Sequence, residues 1–179
     1  MFKGKKAMLL WIALLLLGCV QQGPTAQTPQ REPASSGPAM VASGGLVEKM
    51  EFEDLATKAD VIFVGNVTAM NSRWNDERTF IQTEVRIAIE QLVAGQLQGQ
   101  ECTLVVPGGE VGGVKQEVST APVFTVGERT LLLLVCGEGE SLTVMGGFQG
   151  KLDIDNNTVL LLGTPLPAVL EQIKTLRAK

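Results

Sequence analysis

Ile81-Gln82-Thr83-Glu84-Val85-Arg86-Ile87-Ala88-Ile89-Glu90 places β-branched residues at every second position, with polar or small residues between them. Successive side chains of a strand point to opposite faces, so this stretch predicts a long strand with one dry face and one wet face. A helix would scatter the same five residues around its circumference. The neighbouring segments continue the β reading. VIFVGNVTAM, Val61 to Met70, is rich in β-branched residues, and its Gly65 predicts a bulge or sharp bend.

Further strands are expected at Cys102 to Val106, Thr130 to Cys136 and Ser141 to Met145. The run Leu131-Leu132-Leu133-Leu134-Val135 has no polar alternation, which implies burial on both faces. Lys151 to Asp155 and Thr158 to Leu162 flank Asn156-Asn157, a pair that tolerates the positive φ of a two-residue hairpin turn. Two helices frame the strands. Phe52, Leu55, Ala56 and Ala59 recur at helical spacing and predict a short helix near Glu51 to Lys58. Pro167 to Arg177 carries the stripe Val169, Leu170, Ile173, Leu176, with proline in the first turn. The expected fold is mainly β: a small, closed or partly open β-barrel of OB-like type with a short N-terminal helix and a C-terminal helix. A β-sandwich is the competing architecture.

Outside this domain, residues 46–179, the sequence changes character. Lys3, Lys5 and Lys6 precede an uncharged apolar run from Ala7 to Leu17, followed by Gly18 and Cys19. This order is that of an export signal, and the run is shorter than the roughly 20 residues a spanning helix needs. Leu16-Leu17-Gly18-Cys19 resembles the lipobox of bacterial lipoproteins, although Leu17 is bulkier than that pattern usually places there. The resemblance implies cleavage of residues 1–18 and lipidation of Cys19, because only a thiol can carry the diacylglycerol. Residues 19–45 read as a lipidated, disordered tether dominated by Gln, Pro, Ser, Thr, Ala and Gly. Its mean reach is on the order of 25 to 30 Å. The expected location is the extracytoplasmic face of a bacterial membrane. Where there are two membranes, Val20, in place of an aspartate resembling a retention signal, points to the outer one.

Removing Lys3, Lys5 and Lys6 with the signal takes the formal charge from −4 to −7. An acidic chain without a basic cluster is not expected to bind nucleic acid. There is no histidine and no tyrosine, so the commonest general base and zinc ligand are missing. No cofactor and no metal are expected.

The order of a short helix, then ADVIFVGNVTAM, the long alternating strand ending QLVAG, TLVVPGGEVGG, APVFTVGERTLLLL and GGFQGKL resembles a group of exported bacterial and archaeal domains. These are similar to the OB-type barrels of tissue inhibitors of metalloproteinases and netrin modules. The resemblance spans about Glu51 to Leu152 and implies an OB-like fold without a particular activity. Those inhibitors chelate zinc through a free N-terminal Cys-x-Cys. Here Cys19 is expected to be acylated and lies far ahead of the barrel, so that mechanism does not carry over.

Several motifs look chemical and fail on inspection. Pro107-Gly108-Gly109-Glu110-Val111-Gly112-Gly113 lacks the Gly-Lys-Ser/Thr ending of a phosphate cradle and reads as a turned or mobile loop, a candidate partner contact through Gly108, Gly109, Gly112 and Gly113. Asp153 to Asn157 opens like a calcium loop, but Thr158 and Thr164 stand where that loop needs Gly and Glu. Gly139-Glu140-Ser141 lacks the second glycine of a nucleophile elbow, and no histidine exists for a triad. Cys102 opens one strand and Cys136 closes another. Export permits a disulfide between them, and two buried free thiols are the alternative. Arg73 and Trp74, in the polar stretch between the first two strands, form a pair typical of binding hot spots, and Phe148 in GGFQGK has similar standing.

The functional expectation is a non-enzymatic binding module for a protein or cell-envelope partner. A regulator or inhibitor of an exported protease is the second reading. A hydrolase using Glu84 and Glu90 is the third.

Overall fold

Strand β1, Val61–Trp74, lies at the centre of the molecule in the computed structural model, which describes residues 47–137, 139 and 141–178. The signal segment, Cys19 and the tether lie outside the described residues. β1 pairs along its length with β2, Ile81–Ala94, and over its first half with β6, Arg129–Cys136. β3, Glu101–Pro107, extends the sheet beyond β2. On the other side, β6 pairs with β8, Lys151–Asp155, and its far end pairs with the short β7, Leu142–Val144. β9, Thr158–Val159, and β10, Thr164–Pro165, complete an eight-stranded antiparallel sheet of order β10-β9-β8-β6-β1-β2-β3, with β7 beside β6. A separate hairpin joins β4, Gly109–Val111, to β5, Val114–Gln116.

The strand periods explain two cores on opposite faces of β1 and β6. Val61, Phe63 and Val67 join Leu132 and Leu134 on the inner, concave side, with Val85 and Ile87 of β2 and Cys102, Leu104 and Val106 of β3. Ile62 and Val64 join Leu131 and Leu133 on the outer side, under helices α1, Phe52–Lys58, and α2, Leu166–Arg177. The unbroken apolar run of β6 is therefore buried on both faces, as its sequence implies. β2 keeps strict alternation: Ile81, Thr83, Val85 and Ile87 are buried, whereas Arg86 and Glu90 are exposed. From α2, Leu166, Val169, Leu170 and Ile173 are buried against the outer core. Arg177 donates to the carbonyls of Ala56 and Ala59 at 3.0 and 2.8 Å, satisfying two acceptors at the end of α1.

Gly65 marks the bend its sequence predicts. The β1–β2 register slips between Val64 and Gly65 and again between Val67 and Ala69, where β1 has parted from β6 and runs on as the edge of a three-stranded ribbon with β2 and β3. At the other hairpin, Asn156 and Asn157 adopt φ of 46° and 60°, the conformation the Asn-Asn pair was expected to supply.

Two open alternatives are decided and one expectation is corrected. The sheet is not closed: β3 approaches β7, with Cα atoms within 8 Å, but no ladder joins them. β7 is only three residues long, too short to continue the hydrogen bonding, and Phe124, from the irregular stretch before β6, enters the inner core. The Gly-rich stretch takes the tightly turned form. Gly112 and Gly113, at φ of 59° and 80°, form the two-residue turn of the β4–β5 hairpin. The strand expected over Thr158 to Leu162 ends at Val159, and residues 160–163 form turns instead.

Candidate functional site

The ribbon and the glycine hairpin meet at one end of the sheet. Ser72 of β1 lies opposite Thr83 of β2, and their hydroxyls are 2.8 Å apart. The Thr83 hydroxyl donates to the Gly108 carbonyl at 2.7 Å, the Gly108 amide donates to the Ile81 carbonyl at 2.8 Å, and the Ile81 amide donates to the Gln116 side chain at 2.7 Å. A Cβ on Gly109 would collide with the Ser72 and Thr83 side chains. Glycine is required there because the hairpin backbone rests directly on the ribbon.

Trp74 belongs to β1 and not to a loop. The ladder runs on to the pair Trp74–Ile81 because the polar residues NSR find partners within it. Facing residues of an antiparallel pair share a side. Trp74 therefore stands with Ser72 and Ile81 on the hairpin side and is half-buried, while the exposed Arg73 lies on the other face. The Gln82 carboxamide, with its oxygen toward the guanidinium, accepts from Arg73 at 3.0 and 3.2 Å. Asn75 closes the end of the ribbon by accepting from the amides of Thr79 and Phe80 at 2.7 and 3.1 Å.

Phe148 is not part of this end. It lies in a 3-10 turn, Gly147–Gly150, and its amide donates to the Thr120 carbonyl at 3.1 Å. With it, Val123, Leu160 and Leu161 are 52, 80, 57 and 75% exposed, among the largest apolar exposures in the domain. They edge a groove of about 1030 Å³ whose floor includes the buried Leu55 and Leu152. Val123, Leu160 and Leu161 escape sequence reasoning because each sits in an apolar run that reads as strand or core. The exposed Leu-Leu pair is the available signal, next to a turn residue, Gly163, at φ 59°. A second recess of about 640 Å³ separates the glycine hairpin from residues 117–124.

One charged cluster sits between the groove and the inner core. Lys151 has a side chain only 6% exposed, lies 3.0 Å from the Glu128 carboxylate, pairs with Asp153 and is 5.2 Å from the centre of the Phe124 ring. Its charge is thus matched twice, and its stem covers apolar surface. The groove's floor is apolar, and the exposed Lys49–Glu51 pair, 2.8 Å apart, stands on its lining. The acidic pair considered for hydrolysis is engaged elsewhere: Glu84 pairs with Arg86 at 3.2 Å and Glu90 with Arg129 at 2.6 Å. Among the described residues, no three of His, Cys, Asp or Glu converge as metal ligands.

Cys102 and Cys136 are both free. β1 and β2 lie between their strands in the sheet. Cys102 points into the inner core, whereas Cys136 is exposed at the end of β6, so neither a disulfide nor two buried thiols describes them. Burial pushes the Cys102 thiol up to about 11 from its ordinary 9.0. In a chain beginning at residue 19 with Cys19→Ala, Ellman's reagent is expected to titrate one thiol in the native state and two after unfolding. Zero or two native thiols would contradict this placement. Because the folded value is raised, the stabilising effect of the protonated Cys102 is complete below pH 9.0 and is lost as the pH rises toward about 11. A Cys102→Ala variant should lack that step in a pH series of melting curves.

The chain matches no protein-family model and no curated protein. Among the described residues, no helix is long and apolar enough to cross a membrane.

Proposed function

We propose that this protein is a lipoprotein anchored through Cys19 on the extracytoplasmic face of a bacterial membrane, where an OB-like, partly open barrel acts as a non-enzymatic binding module. The observation that carries this reading is the groove edged by Phe148, Val123, Leu160 and Leu161. Exposed apolar side chains gathered around a concave floor are what a protein interface uses as its centre, and soluble domains seldom leave them together without a use. The neutralised Lys151 under the groove agrees with an apolar partner segment and not with an ionic ligand.

The Trp74 end is the weaker candidate surface. Its aromatic ring is half-buried, and the facing Ile81 and Thr83 of β2 are tied to the glycine hairpin. A regulator of an exported protease is the second reading. It is favoured by the β4–β5 hairpin, which carries exposed Gly112, Gly113 and Val114 at its tip, a narrow shape suited to entering a cleft.

Capture from envelope extracts separates these surfaces. Wild type and Trp74→Ala are expected to recover the same partner, and Phe148→Ser/Leu161→Ser is expected to lose it by about ten-fold, as for a hot-spot pair. Loss with Trp74→Ala alone would move the interface to the ribbon. Equal recovery by the wild type and both variants would rule the groove out as the interface.

A further inference from the structure

The strand that borders the apolar groove, β8, is only half-paired by the chain itself. β6 lies along one side of it. The Thr130 hydroxyl donates to the Leu152 carbonyl at 3.0 Å, and the Leu160 amide donates to the Asp153 carbonyl at 2.9 Å. Backbone groups alternate in direction along a strand, so Leu152 turns its amide and carbonyl to β6, and Lys151 and Asp153 turn theirs to the other side. On that other side β9 pairs only with Ile154 and Asp155. Continued in register, β9 would bring residue 161 beside Leu152. It turns away instead: the Leu162 and Gly163 amides donate back to the carbonyls of Val159 and Leu160 at 3.2 and 3.3 Å.

That turn takes the Leu160 carbonyl away from the Asp153 amide. The Lys151 amide donates to the Phe148 carbonyl. Among the described residues, however, nothing donates to the Lys151 carbonyl and nothing accepts from the Asp153 amide. Lys151, Leu152 and Asp153 all line the groove. An acceptor and a donor two residues apart therefore flank Leu152 on the groove side. This is the spacing by which one residue of a parallel neighbour is held: its amide donates to the carbonyl before Leu152, and its carbonyl accepts from the amide after it.

We propose that the groove takes an extended, apolar peptide segment of a protein partner, which adds to the free edge of β8 in parallel and seats one residue beside Leu152. The seated side chain shares the side of Leu152, so it lies on the apolar floor with Leu55, under the rim of Phe148 and Leu161. Backbone hydrogen bonds hold the segment and an apolar side chain at alternate positions selects it, the division of labour general to strand addition. Only one residue of the edge is open, because Leu160 already stands beside Asp153, so the segment leaves the sheet as it passes that residue. The inference rests on the groove being the interface and names what enters it.

The test uses the chain from residue 19 with Cys19→Ala, and four fluorescein-labelled peptides in which threonine alternates three times with one apolar residue, Val, Ile, Leu or Phe, between terminal lysines. At least one should bind saturably, and Leu161→Ser, with an unchanged melting temperature, should weaken it about ten-fold. N-methylating the apolar residues of that peptide should also weaken it about ten-fold, because their amides face Lys151, whereas N-methylating the threonines should leave it unchanged. Equal effects of the two methylations would overturn strand addition, and the reverse order would overturn the parallel seat. No saturable binding by any of the four at about 1 mM would overturn the proposal outright. Tighter, Leu161-dependent binding of an amphipathic helical peptide would overturn it while keeping the groove as the interface; equal recovery in the capture experiment removes the groove itself. A dimer of the parent lost on Leu161→Ser, or phosphatidylcholine vesicles bound by the parent and released by Leu161→Ser, would overturn it in favour of a second copy or a lipid surface.

Discussion

Substituting valine for Gly65 is expected to lower the melting temperature by about 10 °C, equivalent to about 3 kcal/mol in a domain of this size. Gly65 lies on the inner face of β1 between Phe63 and Val67, where the strand slips its register against β2. A Cβ there would stand 2.7 Å from the Ala88 carbonyl oxygen, 2.7 Å from Ile87 Cγ2 and 2.9 Å from the Phe63 ring. The first of these is backbone within the central ladder and cannot step aside. The other two belong to fully buried side chains that fill the concave core. The substitution must therefore either push β1 from β2 or expel Phe63. Gly99→Asn is the matched control: it occupies open space at φ 82°, a region asparagine tolerates, and should shift stability by less than ~1 kcal/mol. Thermal unfolding followed by circular dichroism reads both. Similar melting temperatures for the two variants would mean that the bend at Gly65 is not where β1 turns into the ribbon.

The second large effect concerns location. Exported behind an ordinary cleavable signal and carrying Cys19→Ala, the protein is expected to leave the membrane fraction almost completely. Each buried acyl methylene contributes about 0.8 kcal/mol, so two chains give an anchor that the exposed apolar residues of the domain do not approach. The parent should resist a carbonate wash and partition with detergent, whereas the variant should appear in the soluble fraction. A variant that stays on the membrane would assign retention to another feature, such as the exposed Leu160 and Leu161.

How far the sequence led depended on whether a signal was local. The alternation of Ile81, Thr83, Val85 and Ile87 is a property of one strand, and that strand forms with the expected face buried. The same holds for the Leu131 to Leu134 run and for the asparagine turn. β1 proved longer than its apolar part because Ser72 and Arg73 find partners in β2, Thr83 and Gln82. A polar stretch thus reads as a loop in the sequence, and Trp74 with it. Leu160 to Leu162 mislead in the opposite sense: the apolar run reads as strand, although β9 has only two residues to pair. Closure of the sheet depends on whether β3 meets β7, strands far apart in the chain, and no local pattern reports that. The groove was illegible for the same reason. Its walls come from the entrance to α1, the irregular stretch before β6, the 3-10 turn and the turn after β9, four segments with no shared motif. Phe148 alone stands out in the sequence, without its neighbours.

The account's central claim is that the groove is the surface this protein offers in the envelope. In-cell photocrosslinking tests it most directly, with a benzophenone amino acid placed at position 161 in the lipidated chain and, as control, at the exposed position 77 on the ribbon turn. The account predicts a discrete adduct with a second macromolecule from position 161 and none from position 77. The same adducts from both positions, or from position 161 only links within the protein's own chain, would contradict it.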